Sequence, residues 1–169
     1  MGQSSLKQIK YISSFAPKTT QEDVQAILET SRRNNQNSDI SGILMVSDQT
    51  FFQILEGPEG DVDQVWDRIR GDHRHDNICV LTDGALRERS FGRWRMQHLL
   101  SFHEDEALNG VGKVLDSAAT QCRALMDLGR TDTEEKVTFL LENARLQELE
   151  SLLTGIGVLA YRASQEQST

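Results

Sequence analysis

Apolar residues recur in two rhythms along the first hundred positions. "LKQIKYISSF" (6–15) carries Leu6, Ile9, Tyr11 and Ile12 in a run of strand length, and "APKTTQED" follows with turn formers, Thr20 as a helix N-cap and Asp23 three residues on. The period then lengthens. Val24, Ile27 and Leu28 fall on one helical face, and the polar stretch "SRRNNQNSD" predicts where that helix frays. "ISGILMVSDQTFFQILEG" reads as two apolar strands joined by "SDQ", a hairpin. "GPEGDVDQVWDRIRGD" puts Asp61 near a helix start and sets Val62, Val65, Trp66 and Ile69 at helical spacing. "NICVLTDGAL" is a short, nearly continuous apolar strand. "RERSFGRWRMQHLLSF" alternates, with Trp94, Met96 and His98 on one side and Arg93, Arg95 and Gln97 on the other, and predicts one more.

The predicted order is strand, helix, strand, strand, helix, strand, strand. That is an α+β, ferredoxin-like βαββαββ arrangement with a five-stranded mixed sheet, in which right-handed crossovers put both helices on one face. From about residue 104 the texture changes. Val111, Val114, Leu115, Ala118, Cys122, Leu125 and Met126 form a helical stripe, and Thr131 with Glu134 offers a capping box for a second helix through Val137, Leu140, Leu141, Ala144 and Leu152. The expected organisation is a domain over 1–103 and a helical extension over 104–169. If Phe51, Gln53 and Leu55 face the crossover helices, Phe52 and Ile54 point the other way and need cover, from the C-terminal helices or from a second subunit. A homodimer is therefore expected.

Composition narrows the function classes. The 169 residues carry a formal charge of -8, with 37% hydrophobic and 26% charged residues, ordinary for a soluble globular protein. An acidic chain releases no counterions from a phosphate backbone, so nucleic acid is not an expected partner. No apolar run approaches bilayer length, and "MGQSSLKQIK" has no apolar signal core. Cys79 and Cys122 are far apart and lack CxxC spacing, which suits free thiols in a reducing cytoplasm.

The chain shows no GxSxG, P-loop, GxGxxG after a strand, or HExxH. His73 and His75, with Asp72 and Asp76, resemble a metal cluster, but at a helix end they read better as surface residues opposite the helix dipole. What remains is a polar set that the topology should bring together: Tyr11 on the first strand, Asn34 and Asn35 after the first helix, Gln53 on the third, and Trp94 with Met96 on the last. Singly, a buried Tyr or Gln finds a partner in the core, and an Asn pair caps a helix. Together they would line a groove between two helices, where amides suit a planar heterocycle whose edge alternates acceptors and donors.

The stretches "IKYISS", "SRRNNQNSDISGIL", "FFQILEG", "VWDRIRGDHRH" and "RSFGRWRM", in this order over roughly residues 6 to 102, resemble the BLUF domains, blue-light sensors that use flavin. The resemblance implies a noncovalently bound FAD, or alternatively FMN, between the two helices. It makes Tyr11 and Gln53 the photoactive pair and Asn34 and Asn35 holders of the pyrimidine edge. Ile40 lies in the same motif and is carried as a cofactor contact, Arg68 and His75 as contacts of the ribityl and phosphate end. Trp94 and Met96 would pass the signal outward, through the last strand and C-terminal helices, to a separate effector or a fused output domain. The protein would then be a switch and not an enzyme. The competing readings are a flavin-dependent redox enzyme and a cofactor-free interaction module.

Overall fold

The structure, a computed structural model, describes residues 5–46, 49–91 and 97–100 together with Thr120; of residues 32, 35–37 and 97–100 it describes the backbone alone. The expected C-terminal helices, Cys122, Trp94 and Met96 lie outside the described residues. The elements are β1 (Leu6–Phe15), α1 (Gln21–Asn37), β2 (Ser41–Val46), β3 (Thr50–Pro58), α2 (Glu59–Arg70), β4 (His75–Leu86) and β5 (Gln97–Leu100). In the sheet, of order β4-β1-β3-β2-β5, the first four strands pair antiparallel and the short β5 lies parallel to β2.

The start of α1 follows its sequence. Thr20 and Asp23 form a reciprocal capping box, Asp23 N–H to Thr20 Oγ1 at 3.2 Å and Thr20 N–H to Asp23 Oδ2 at 2.9 Å. Its end does not. The helix runs on through Asn37, so Asn34 and Asn35 lie inside it rather than after it. Poor helix formers cost only tenths of a kcal/mol each, roughly 0.5, and extending an existing helix needs no new nucleus. Ser38 then closes the last turn by donating to the Asn34 carbonyl at 3.1 Å.

Both helices cover the same face of the sheet. Val24, Ile27 and Leu28 of α1 and Val62 and Trp66 of α2 share one core with Ile9, Tyr11, Leu44, Phe51 and Leu55. The alternation expected for "FFQILEG" holds: Phe51 and Leu55 are in that core, while Phe52 and Ile54 turn to the other face, where Ile12, Ile43, Met45 and Cys79 are also buried. That second face is already buried within one chain.

Two local features set the strand geometry. Gly42 has φ 146°, which strongly favours glycine. A Cβ on Gly57 would lie 2.6 Å from the Asp39 carbonyl oxygen and 2.9 Å from Ile40 Cδ1, so β3 approaches the start of β2 closer than any side chain allows. Residues 87–91, which the sequence put at the start of the last strand, form bends, and the described part of that strand is Gln97–Leu100. Gly57→Ala is expected to lower the unfolding free energy by roughly 1–3 kcal/mol, measured by urea denaturation; an unchanged midpoint and slope would show that the Asp39 backbone yields freely.

Candidate functional site

β-Pairing builds the floor of the groove. Tyr11 on β1 and Leu44 on β2 are both register partners of Gln53 on β3, and directly opposed residues project to the same side. The result is a row, Tyr11–Gln53–Leu44, under the gap between α1 and α2. Tyr11 Oη donates to Gln53 Oε1 at 2.6 Å, with 1% of the tyrosine and 4% of the glutamine exposed. Trp66 of α2 leans on the Tyr11 ring, centroids 5.1 Å apart, and restricts the phenol from above.

The walls are amphipathic. Ile27, Thr30, Ser31 and Asn34 come from α1, and Val65, Arg68 and Ile69 from α2, around a cavity of about 790 Å³ counting its open mouth. A second hollow shares Asn34, Val65 and Arg68 with the first and adds Ser38, Asp61 and Gln64, so the trough continues outward between the helices. Apolar side chains suit a flat ring, amides suit its polar edge, and the exposed Arg68 suits an anionic tail. The donor set therefore fits a flavin dinucleotide. Asn34 would meet the ring edge with Gln53, and Arg68 the phosphates.

The far end of the groove is closed by Asp72, Arg74 and His75. His75 corrects the helix-end reading of the sequence. It opens β4 and turns inward, its ring 4.6 Å from Phe51 and 6.1 Å from Tyr11 between centroids, with Nδ1 2.8 Å from Ser13 Oγ. A bulge does this. Between the Ile12–Cys79 and Ser14–Asp76 pairs the register slips by one residue at Asn77, whose φ is 48°, and the slip returns His75 to the helix face opposite Phe15. His73, by contrast, is exposed, so the two histidines diverge. Among the described residues no cluster of His, Cys, Asp and Glu is arranged to hold a metal.

Electrostatics keep the floor uncharged. Burial, helped by the charge of Asp72, pushes the Tyr11 phenol far above its usual range, so it stays a neutral donor. Burial also holds His75 down to about 4, outweighing attraction to Asp72, while Arg74 reinforces the depression. Asp72 is pushed up by burial but more strongly held down by Arg74, whose guanidinium donates to it at 2.6–3.1 Å, and it ends below its ordinary value. Arg74 in turn is raised by Asp72. The Arg74 carbonyl accepts from Ala16 N–H and Thr19 Oγ1, both at 3.0 Å, tying this loop to the start of the first crossover.

Residues 6–97, more than half of the chain, match the family described as BLUF, sensors of blue-light using FAD. The chain belongs to the BLUF family. FAD is accordingly the cofactor that the groove is built to fit. Among curated relatives, the chain is 37% identical over 90 residues to the blue light- and temperature-regulated antirepressor BluF of Escherichia coli, covering 52% of this chain and 22% of that protein. It is 30% identical over 98 residues to photoactivated adenylate cyclase subunit alpha of Euglena gracilis, covering 57% of this chain and 10% of that one. Among solved structures, the dark state of the BLUF protein BlrB superposes with a TM-score of 0.59 at 28% identity, covering 72% of this chain and 91% of that one. The chain thus spans a small part of the curated relatives it matches.

The structure brings Tyr11, Asn34, Gln53, Arg68 and His75 around one cavity. Ile40 is not among its lining; it is 1% exposed in the core and packs where Gly57 crosses β2. The side chain of Asn35 lies outside the described set. Sequence reasoning missed Asp72 and Arg74 as groove residues, because a charged loop after a helix looks solvated until the chain folds back over it. No helix among the described residues is long and apolar enough to cross a membrane.

The depressed His75 has a measurable consequence. Between pH 6.5 and about 4 the unfolded chain binds a proton at His75 that the folded chain refuses, so stability is lost as the pH is lowered through this window, by up to about 3 kcal/mol. Above the window the full stability is present. His75→Gln is expected to flatten this part of the profile, read as the difference between urea-unfolding curves at pH 7 and 4.5; parallel profiles for the two proteins would contradict the buried neutral imidazole.

Proposed function

We propose that this chain is a blue-light switch whose photoactive pair is Tyr11 and Gln53, in a photosensory domain over 1–103 with 104–169 as its output or dimerisation extension. The observation that carries the reading is the buried 2.6 Å bond from Tyr11 to Gln53 at the floor of the groove between α1 and α2. Asn34 and Asn35 serve the ring edge and Arg68 the phosphate end, His75 lines the closed end beside Tyr11 and Phe51 rather than the ribityl and phosphate end that the resemblance implies, and Ile40 supports the floor from the core.

Bound FAD supplies light absorption and, once excited, oxidising power. Tyr11 is the residue that yields an electron, and its phenol becomes acidic on oxidation. The proton has a ready acceptor in Gln53 Oε1, already in hydrogen-bond contact. When electron and proton return to Tyr11, the Gln53 amide is left reversed or tautomerised, with its donor and acceptor ends exchanged toward the groove. No net chemistry results. What changes is a set of hydrogen bonds, each worth about 1 kcal/mol net, enough to bias a nearly balanced equilibrium.

That bias reaches an effector through the last strand of a mixed five-stranded sheet, by way of Trp94 and Met96, and through two C-terminal helices. The relatives named above include an antirepressor and a cyclase subunit, which supports output through a separate partner or a fused domain. A homodimer in the cytoplasm is the expected form.

The test is an absorption spectrum of the flavin-loaded protein before and after a blue flash. A reversible red shift with the flavin still oxidised is expected. Tyr11→Phe and Gln53→Leu should retain flavin and lose the shift; either variant shifting like the parent refutes the assignment. Arg68→Ala should keep the shift while weakening FAD binding about tenfold, as loss of one charge-assisted bond implies; unchanged affinity in a titration would remove Arg68 from the site.

A further inference from the structure

Gln53 is not the only polar side chain buried along β3. Glu56, three residues on and therefore on the opposite face, is 0% exposed, deeper than Gln53 at 4%. It lies in register with Gln8 on β1 and Ser41 on β2, a second polar row about 10 Å along the strand from the first. Both carboxyl oxygens are used. Oε1 accepts from Gln8 Nε2 at 2.6 Å, and Oε2 accepts from the backbone N–H of Phe91 at 3.2 Å.

Phe91 lies in the bends that follow β4, six residues before β5 in the sequence. A second side chain fastens the same bends. Arg89 donates to Ser41 Oγ at 3.1 Å and to the Asp39 carbonyl at 2.8 Å, and pairs with the Asp39 carboxylate at 2.8 Å. Glu56 neighbours on this face, Phe52 and Ile54, are apolar, and an apolar residue at 56 would fill the core without having to be hydrogen-bonded. A carboxyl there has one capacity they lack: it accepts from β1 and from a backbone donor outside the antiparallel strands at the same time.

We propose that Glu56 is a positioning residue for signal transfer, a latch that ties the strand carrying Gln53 to the backbone at Phe91 and so to the chain entering β5. The inference rests on the reading of Gln53 as the photoactive amide. A rearrangement that shifts β3 at Gln53 moves Glu56 with it, since both belong to one strand. The Phe91 N–H is then pulled or released, and the connection to β5 follows.

The experiment is amide hydrogen exchange in dark and light on the flavin-loaded full chain, with the flash spectrum recorded on the same samples. In the unaltered protein the Phe91 amide should be protected in the dark and should exchange faster in light. Glu56→Met should keep the red shift at full amplitude, expose Phe91 to exchange at least tenfold faster in the dark, and cut the light–dark difference over residues 87–100 to under one fifth. Glu56→Gln should stay within twofold of the parent in all three, because it keeps an acceptor for Phe91 and, with the Gln8 amide turned over, a donor for Gln8. A Glu56→Met protein with an undiminished light–dark difference, or one that keeps flavin but loses the red shift, overturns the proposal. So does Glu56→Gln behaving like Glu56→Met. Should Glu56→Met fail to load flavin, Phe91→Pro, which deletes the N–H and leaves Glu56 in place, must reproduce the loss of the light–dark difference, and an undiminished difference there is equally fatal. Absence of any red shift in the unaltered protein instead sinks the reading of Gln53, independently of the latch.

Discussion

The antiparallel register of β1 against β3 is the constraint on which the site depends. It sets Tyr11 directly opposite Gln53, and a slip of one residue would send one of the two to the far face. Close approach is protected at the far end of the same strand, where Gly57 alone fits against Asp39 and Ile40. Backbone pairing, rather than any side-chain preference, thus brings a phenol and an amide to 2.6 Å in a place closed to water. A hydrogen bond there has little competition from solvent.

Charge is sorted to match. Tyr11 and His75, the titratable groups nearest the floor, are held neutral by burial, while Asp72 and Arg74 neutralise each other at the closed end and Arg68 remains at the open mouth. A neutral floor suits a flavin ring that, on the proposed mechanism, absorbs light and takes an electron from Tyr11. The cation at the mouth suits an anionic cofactor tail.

β3 serves both faces of the sheet. Toward the helices it presents Phe51, Gln53 and Leu55, and away from them Phe52, Ile54 and Glu56, all of them buried. A strand packed on both sides transmits displacement well, because close-packed neighbours yield little. The fully buried carboxyl of Glu56 on the second face is bonded to Gln8 of β1 and to the Phe91 N–H, so the strand that floors the groove is also tied to the bends after β4.

The order of the first four strands and the two helices, the capping box at Thr20, the alternation in "FFQILEG" and the placing of Tyr11 and Gln53 on one face were legible in the sequence, because local periodicity and turn chemistry report on which face a residue takes. So were Asn34 and Arg68 as groove residues, through motif resemblance. Other features were decided only on folding. α1 runs past its polar stretch because helix extension costs less than the caps and turns that Asn offers. His75 enters the site through a one-residue bulge at Asn77 that no periodicity announces. Ile40 proves to be core, and Glu56 acquires its partners from residues 48 positions before it and 35 after. Sequence by itself determined which residues could meet, since alternation is local; which ones did meet was left to strand register and long-range hydrogen bonds, which exist only once distant segments are brought side by side.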